Sequence, residues 1–121
     1  MRDTKMKFGD AGMNMLIDEL ERRQLVRVVD VQVIDEERMS FTFHDGRVLI
    51  FPVEWYPRLK HATIEERKRW QLLADGTWVR WPELDEDLSP VGVLLGLKSQ
   101  ESPRSIERWL QRRQKEKLGT P

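Results

Sequence analysis

The chain has 121 residues, which suits one folded domain better than two. Its 21 acidic and 21 basic side chains cancel, so no global charge attracts it to nucleic acid or to an anionic membrane. It contains no cysteine, which excludes disulfide frameworks, zinc–thiolate sites and cysteine nucleophiles. The sequence shows no secretory signal and no apolar run long enough to span a bilayer, so we expect a cytoplasmic protein without membrane contact.

The first 24 residues are expected to form a tail and a helix ahead of a single domain, which we place at residues 25–121. Residues 1–12 hold two glycines and scattered charges, a composition typical of a loose tail. Residues 13–24 space their apolar side chains along one stripe of a helix. The helix either packs on its own domain or docks onto a partner protein, and the pattern leaves both open. The stripe consists of Met13, Leu16, Ile17 and Leu20.

Three strands are predicted next, joined as an antiparallel meander. Residues 25–34 are rich in valine, and β-branched side chains favour strands over helices. Residues 39–44 alternate between apolar and polar side chains, which is the pattern of a strand with one buried face. Asp45-Gly46 favours a tight hairpin turn because it tolerates positive φ angles, and residues 47–51 return as the third strand.

The middle of the chain predicts a short helix and a second hairpin. Residues 63–66 read Thr-Ile-Glu-Glu, a capping box in which the threonine and the second glutamate each accept from the other's backbone N–H. We therefore expect a helix over residues 64–70. Residues 72–73 begin a strand, Asp75-Gly76 is a second turn signal, and residues 77–81 alternate again.

Two Ser-Pro pairs mark the starts of the last two helices. Ser89-Pro90 places a capping serine before a proline at the first helical position, and Gly96 is placed to end that helix. Ser102-Pro103 repeats the signal before a helix with six Lys or Arg and two Glu between residues 104 and 117. The elements together predict an α+β fold: a small antiparallel sheet, made of the three-strand meander plus one or two further strands, with short helices and a basic C-terminal helix.

A series of short motifs follows one another in a distinctive order. The motifs are Trp55-Tyr56-Pro57-Arg58-Leu59, Ala62-Thr63 with Glu65-Glu66-Arg67, Trp70 with Leu72, the run from Trp81 to Ser89, and Leu94-Leu95-Gly96. Over roughly residues 26–110, this order resembles a bacterial family of uncharacterised proteins that is catalogued as domain of unknown function 2442. The hairpin at Asp45-Gly46-Arg47 also fits that family.

The resemblance implies an α+β domain with a small antiparallel sheet and no established catalytic residues. It also implies an antitoxin-like role, because such proteins are often encoded beside another small uncharacterised protein and have been suggested to act in that way. The chain departs from the family pattern at Trp78-Val79-Arg80, where members often have Gly-Ile-His, and at Pro90, where a small or apolar residue is usual.

The residues best suited to catalysis or metal binding do not form a catalytic or metal-binding motif. His44 is expected on the solvent face of a strand and His61 in a polar loop, with no nucleophile motif or phosphate loop in the chain. The acidic run at residues 83–87 could hold a divalent cation, but its spacing does not match a calcium-binding loop. We interpret its carboxylates as stabilising the next helix N-terminus or pairing with Arg58 or Arg80. We therefore expect no enzyme, no metal site and no cofactor.

Aromatic and arginine side chains are the best candidates for function. Such residues dominate protein interfaces, although Trp70, Trp81 and Trp109 are interpreted as core. We predict a non-enzymatic protein-interaction module, antitoxin-like or regulatory, that binds a partner protein or a second copy of itself. The predicted partner-binding residues are Trp55, Tyr56, Arg58, Trp78, Arg80, Asp85 and Asp87; for the three aromatic members, burial in the core stays open.

The alternative function is nucleic-acid binding by the basic C-terminal helix, because a basic helix can lie along phosphates. The zero net charge of the whole chain weighs against this alternative. The candidate residues are Arg104, Arg108, Arg112, Arg113 and Lys115.

Overall fold

The computed structural model describes residues 11–119 and begins with helix α1, Ala11–Arg22. Of the tail predicted over residues 1–12, residues 1–10 lie outside the described residues, and residues 11 and 12 form the start of α1 instead. The helix itself was predicted, and it begins and ends two residues earlier than expected.

The apolar stripe of α1 is divided between the core and the solvent. Ile17 is 2 % exposed and Leu20 packs partly buried against the core, whereas Met13 and Leu16 are exposed. The helix therefore packs on its own domain through the C-terminal half of its stripe, and the N-terminal half remains accessible.

The first sheet is the predicted meander. Its strands are β1 (Val28–Val33), β2 (Arg38–Phe43) and β3 (Val48–Pro52), which pair antiparallel in the order β1-β2-β3. Asp45-Gly46 forms the turn between β2 and β3. The φ angle of Gly46 is +93°, the positive value that the dipeptide predicted. The apolar side chains of β2 are buried in the core, as its alternation indicates.

Short helical segments connect the first sheet to the second. A 3₁₀ turn, Val53–Trp55, and helix α2, Pro57–Lys60, were not predicted. Helix α3, Ile64–Arg67, begins with the predicted capping box: Thr63 Oγ1 accepts from the backbone N–H of Glu66 at 3.1 Å, and the Glu66 carboxylate accepts from the backbone N–H of Thr63 at 2.9 Å. The helix ends earlier than expected because the chain must be extended where the second sheet begins.

The second sheet consists of β4 (Gln71–Leu73), β5 (Trp78–Trp81) and β6 (Glu86–Leu88), paired antiparallel in the order β4-β5-β6. The β4–β5 hairpin was predicted. Strand β6 was not, because it lies in the acidic run, where two of its three residues are carboxylates with low strand propensity. Pairing with β5, a tertiary contact, imposes the extended conformation.

The turn between β4 and β5 brings the two sheets into direct contact. A Cβ atom at Gly76 would lie 2.1 Å from the carbonyl oxygen of Val28 in β1, so no side chain fits there. The φ angle of +91° at Gly76 also favours glycine. The turn glycine therefore sets the close approach of the second hairpin to the first sheet.

The last two helices are α4 (Pro90–Leu94) and α5 (Pro103–Gly119), and both begin at the predicted Ser-Pro pairs. One continuous core joins both sheets to α1 and α5, from Ile17 to Trp109. The α+β prediction is confirmed, with two antiparallel sheets of three strands each. Among residues 11–119, no helix has the length and apolar character to cross a membrane.

Candidate functional site

Strand β5 sorts its four side chains onto two faces, as its alternation predicts. Val79 and Trp81 are completely buried in the core, whereas Trp78 and Arg80 are partly exposed on the opposite face. The core interpretation of Trp81 is confirmed, and Trp78 lies within reach of a binding partner.

The strand register brings further side chains beside Trp78 and Arg80. Leu73 of β4 lies opposite Trp78, and Arg80 has Gln71 on one side and Asp87 on the other. Cross-strand neighbours on one face of a sheet are close enough to act together. We call this surface the outer face; it consists of Gln71, Leu73, Trp78, Arg80 and Asp87, with Asp85 from the adjoining turn.

Two carboxylates hold Arg80 in place on the outer face. Its guanidinium donates to Asp87 at 2.8 Å and to Asp85 at 3.3 Å. The hydrogen bond to Asp87, above all, raises the pKa of Arg80, so the side chain stays charged. Because the Arg80 side chain is 30 % exposed, these pairs contribute little to stability. Their main effect is to fix the orientation of the guanidinium on the same face as Trp78.

Tyr56 and Arg58, predicted as partner-binding residues, are both buried. The Tyr56 hydroxyl donates to the carbonyl oxygen of Leu97 at 2.7 Å. Burial, and then the nearby Glu86 carboxylate, raises the pKa of this hydroxyl well above its ordinary range. The prediction that Tyr56 and Arg58 form a binding surface is therefore wrong, because the segment that carries them is packed into the core.

Arg58 instead attaches the C-terminal helix to the body of the protein. Its guanidinium donates to both carboxylate oxygens of Glu101, at 2.8 and 2.6 Å, and to the carbonyl oxygen of Leu84 at 3.0 Å. It also lies 4.9 Å from the ring centroid of Trp109, and Arg113 lies 4.7 Å from the same centroid. We call this group the anchor cluster; it consists of Arg58, Glu66, Glu101, Trp109 and Arg113.

Arg113 was predicted to contact nucleic acid, but it faces the protein. Its guanidinium donates to both oxygens of Glu66 at 2.8 Å, and its side chain is 15 % exposed. Burial raises the pKa of Glu66, but the backbone N–H of Thr63 and the Arg113 guanidinium outweigh burial and hold the pKa below its ordinary value. Arg113 therefore serves as an attachment of α5, and its assignment to a phosphate-binding surface is wrong.

The other four basic candidates of α5 form a solvent-exposed stripe. Arg104, Arg108 and Arg112 follow at intervals of four residues and Lys115 comes three residues later, so all four lie on one side of the helix. All four are exposed, and none has an ion pair with another residue in the described range 11–119. We call these four residues the basic stripe.

Trp55 is partly buried and packs against the core rather than on the outer face. The Trp55 ring makes an edge contact with the Tyr56 ring, with 6.5 Å between the two ring centroids. The Lys98 ammonium lies 5.4 Å from the centroid of the Trp55 ring. The structure therefore brings together four of the seven predicted partner-binding residues: Trp78, Arg80, Asp85 and Asp87. Sequence reasoning missed Gln71 and Leu73, whose position depends on the pairing register of β4.

The residues considered for catalysis and metal binding do not assemble into one site. His44 and His61 are exposed. In the acidic run, Glu86 is buried, whereas Asp87 pairs outward with Arg80, which was one of the two arginine partners expected. Within the described part of the chain, no three His, Asp or Glu side chains converge as metal ligands.

Comparison with solved structures finds proteins of the same fold. An uncharacterised protein from Chromobacterium violaceum, solved in solution, has a TM-score of 0.57 at 23 % identity, with 89 % of this chain and 95 % of that chain covered. A protein of unknown function from Rhodospirillum rubrum, solved by crystallography, has a TM-score of 0.55 at 21 % identity, with coverages of 67 % and 96 %. At these identities the likeness shows the fold alone.

Comparison with curated proteins finds no significant match. A family described as protein of unknown function, DUF2442, matches residues 28–99, a range that contains the outer face and excludes α1 and α5. Because this match covers more than half of the sequence, the chain belongs to the DUF2442 family.

Proposed function

We propose that this protein is a non-enzymatic interaction module that binds a partner protein through the outer face. The observation that carries the proposal is Trp78, a partly exposed indole on the same sheet face as Leu73 and the ion-paired Arg80. Tryptophan and arginine are the residue types that most often dominate binding energy, and burial of an exposed indole provides a large apolar contact. Under this proposal the protein acts in the cytoplasm and needs no cofactor.

The chemistry of the outer face suits a partner with both apolar and basic groups. Leu73 and Trp78 offer apolar contact. Among its solvent-accessible charged groups, the carboxylates of Asp85 and Asp87 outnumber the one guanidinium, that of Arg80, and the buried Arg58 guanidinium lies 4.0 Å from Asp85. A lysine or arginine on the partner would complement the two carboxylates and orient the complex. Binding of a partner protein through this surface is compatible with the antitoxin-like role that the family resemblance implies.

The substitution Trp78→Ala tests the proposal. The tagged full-length protein is captured from its native cells, and co-purifying proteins are quantified by mass spectrometry. We expect Trp78→Ala to lose the partner, and Leu95→Ala, which truncates an exposed apolar side chain on another part of the surface, to retain it. Sedimentation of the purified proteins tests whether the partner is a second copy of the chain. A dimer in the wild type that is a monomer in Trp78→Ala identifies the second copy as the partner. Recovery of the same partners at the same level by a correctly folded Trp78→Ala protein overturns the proposal.

Nucleic-acid binding by the basic stripe is a second candidate function. The observation that favours it is the exposure of four cations on one side of α5, over about 16 Å of helix, without ion pairs within residues 11–119. Binding should weaken steeply with salt, because each neutralised phosphate releases counterions. Labelled DNA and RNA are titrated at low salt, and Arg108→Glu with Arg112→Glu should abolish any binding. No anisotropy change at low salt removes this candidate.

A further inference from the structure

A cleft of about 710 Å³ lies at one end of the first sheet and shares no residue with the outer face or the basic stripe. Its walls are the turn between β1 and β2, the end of β3 and the segment from α2 to α3. Volumes of about 300–1,000 Å³ are typical of small-molecule sites. Part of its lining is apolar, since Val53 and Ala62 are buried and Ile64 is partly buried. The cleft therefore has a size and a lining suited to a small molecule.

Arg67 is one of the residues that line this cleft, and its side chain carries a buried charge. It is 5 % exposed and donates to the carbonyl oxygens of Glu36 at 2.7 Å, Leu59 at 2.8 Å and Lys60 at 3.2 Å. These acceptors are neutral, and none of the carboxylates in the described range forms an ion pair with Arg67. Burial lowers the pKa of Arg67, and the charge of the nearby Glu36 carboxylate offsets part of this effect. Because a guanidinium has five N–H donors, one N–H on each terminal nitrogen lacks an acceptor within residues 11–119.

The rim of the cleft also carries charged side chains, and most of them are paired. The Lys60 ammonium lies 3.3 Å from the Glu54 carboxylate, and Arg38 lies 2.7 Å from Asp35. Apart from these two ion pairs, the charged groups of the cleft are the buried guanidinium of Arg67 and two carboxylates. The two carboxylates, exposed and without an ion pair to any described residue, are Glu36 and Glu37.

We propose that the cleft binds a small zwitterion with an aliphatic body, of the chemical class of the α-amino acids. The carboxylate of the ligand accepts from the two N–H groups of Arg67, which have no other acceptor. Its ammonium donates to the carboxylate of Glu36 or Glu37. The aliphatic side chain lies on Val53 and Ala62. The backbone carbonyl of Glu36 accepts from Arg67 at 2.7 Å, which keeps the turn with the two carboxylates beside the guanidinium, as the adjacent charges of an α-amino acid require.

The charged groups of the cleft favour a zwitterionic ligand over a simple anion or a simple cation. The carboxylates of Glu36 and Glu37 repel a simple anion at the mouth of the cleft, and the buried guanidinium of Arg67 repels a simple cation. A zwitterion satisfies both ends of the site. Its carboxylate also gives the buried arginine a directly hydrogen-bonded counterion, whereas the Glu36 carboxylate acts on Arg67 only through its charge.

The test is a titration of the isotope-labelled full-length protein with L-leucine, followed by amide chemical shifts in NMR spectra. We expect saturable shifts clustered at Glu36, Glu37 and residues 62–67. Two analogues serve as matched ligands: 4-methylpentanoate lacks the ammonium, and 3-methylbutylamine lacks the carboxylate. Each should bind at least about tenfold more weakly than leucine, which corresponds to the loss of one ionic contact.

Substitutions at the rim test the assigned contacts without disturbing the core. Glu37→Gln together with Glu36→Gln should weaken leucine binding at least about tenfold, and Glu65→Gln, an exposed carboxylate on α3 outside the cleft lining, should leave it unchanged. Arg67→Lys should abolish binding; because this residue also supports the fold, the rim variants carry the decision.

The proposal is overturned if leucine causes no shifts at the cleft, if 4-methylpentanoate binds as tightly as leucine, or if the rim variants bind leucine like the wild type. This inference stands apart from the proposed function. Trp78→Ala should bind leucine normally, so failure of either proposal is visible without the other.

Discussion

The anchor cluster and the outer face use the same residue types for opposite purposes. In the anchor cluster, Trp109 is 5 % exposed and lies against Arg58 and Arg113, each of which is held by a carboxylate. On the outer face, Trp78 is partly exposed beside Arg80, which is also held by carboxylates. The first group closes the fold around α5, whereas the second presents its side chains to solvent. Residue type therefore does not distinguish a structural cluster from a solvent-accessible one; burial does.

The difference in burial gives the two groups different energies. The Arg58–Glu101 pair is nearly enclosed, so loss of one partner leaves a charge in a poorly solvated site. The pairs of Arg80 are open to water, which screens the charges and solvates whichever group remains. Substitutions in the anchor cluster should therefore cost stability, and substitutions on the outer face should cost binding.

The largest expected effect is that of Arg58→Ala. This substitution removes the guanidinium that neutralises the nearly enclosed Glu101 carboxylate, and it removes the contact with Trp109. We therefore expect a loss of about 3–5 kcal/mol in the free energy of unfolding. Urea denaturation followed by circular dichroism measures it. Arg80→Ala is the matched control, and equal losses in the two variants would show that the anchor cluster and the outer face do not differ as described.

Trp109→Ala should have the next largest effect, a loss of about 3 kcal/mol in the free energy of unfolding, because a large buried ring is replaced by a cavity. The loss should be accompanied by faster amide hydrogen exchange along α5, since Trp109 joins this helix to the core. Trp78→Ala, measured in the same way, should leave exchange in α5 unchanged. Unaltered protection of α5 in Trp109→Ala contradicts the assigned role of the anchor cluster.

Acid should loosen the attachment of α5 through Glu66. The pKa of Glu66 is lower in the folded protein than in the unfolded chain, so its contribution to stability is complete above the unfolded pKa and is lost as the pH falls through the folded pKa. Hydrogen exchange in α5, corrected for intrinsic rates, should therefore increase as the pH falls below the ordinary range of glutamate. Glu66→Gln should remove this part of the pH response; a response of full size in that variant argues against Glu66 as its source.

The smallest expected effect on stability is that of Arg80→Ala on the outer face. We expect a loss of at most about 1 kcal/mol, because the ion pairs of Arg80 are open to solvent. Capture of the proposed partner should nevertheless fall in this variant, as in Trp78→Ala. Thermal unfolding and quantitative capture separate the two readouts, and a stable variant that still captures its partner fully would remove Arg80 from the binding surface.

Several parts of this fold follow from local sequence alone. The Asp45-Gly46 turn, the Thr63 capping box and the two Ser-Pro helix starts are set by backbone conformations and hydrogen bonds between residues a few positions apart. The meander and the burial of Trp81 follow from side-chain alternation, which is also local. These features were predictable because their physical causes lie within a few neighbouring residues.

Other parts were decided by contacts between residues far apart in the chain. Strand β6 exists because an acidic segment pairs with β5. Tyr56 and Arg58 are buried because Leu97 and Glu101, more than forty residues later, supply their hydrogen-bond acceptors. Alternation along one strand separates its two faces, as for Trp78 and Trp81, but it does not show which segments are covered by distant parts of the chain. Only the tertiary structure decided that Tyr56 and Arg58 are enclosed and that Gln71 and Leu73 lie beside Trp78, because these placements depend on contacts between residues far apart in sequence.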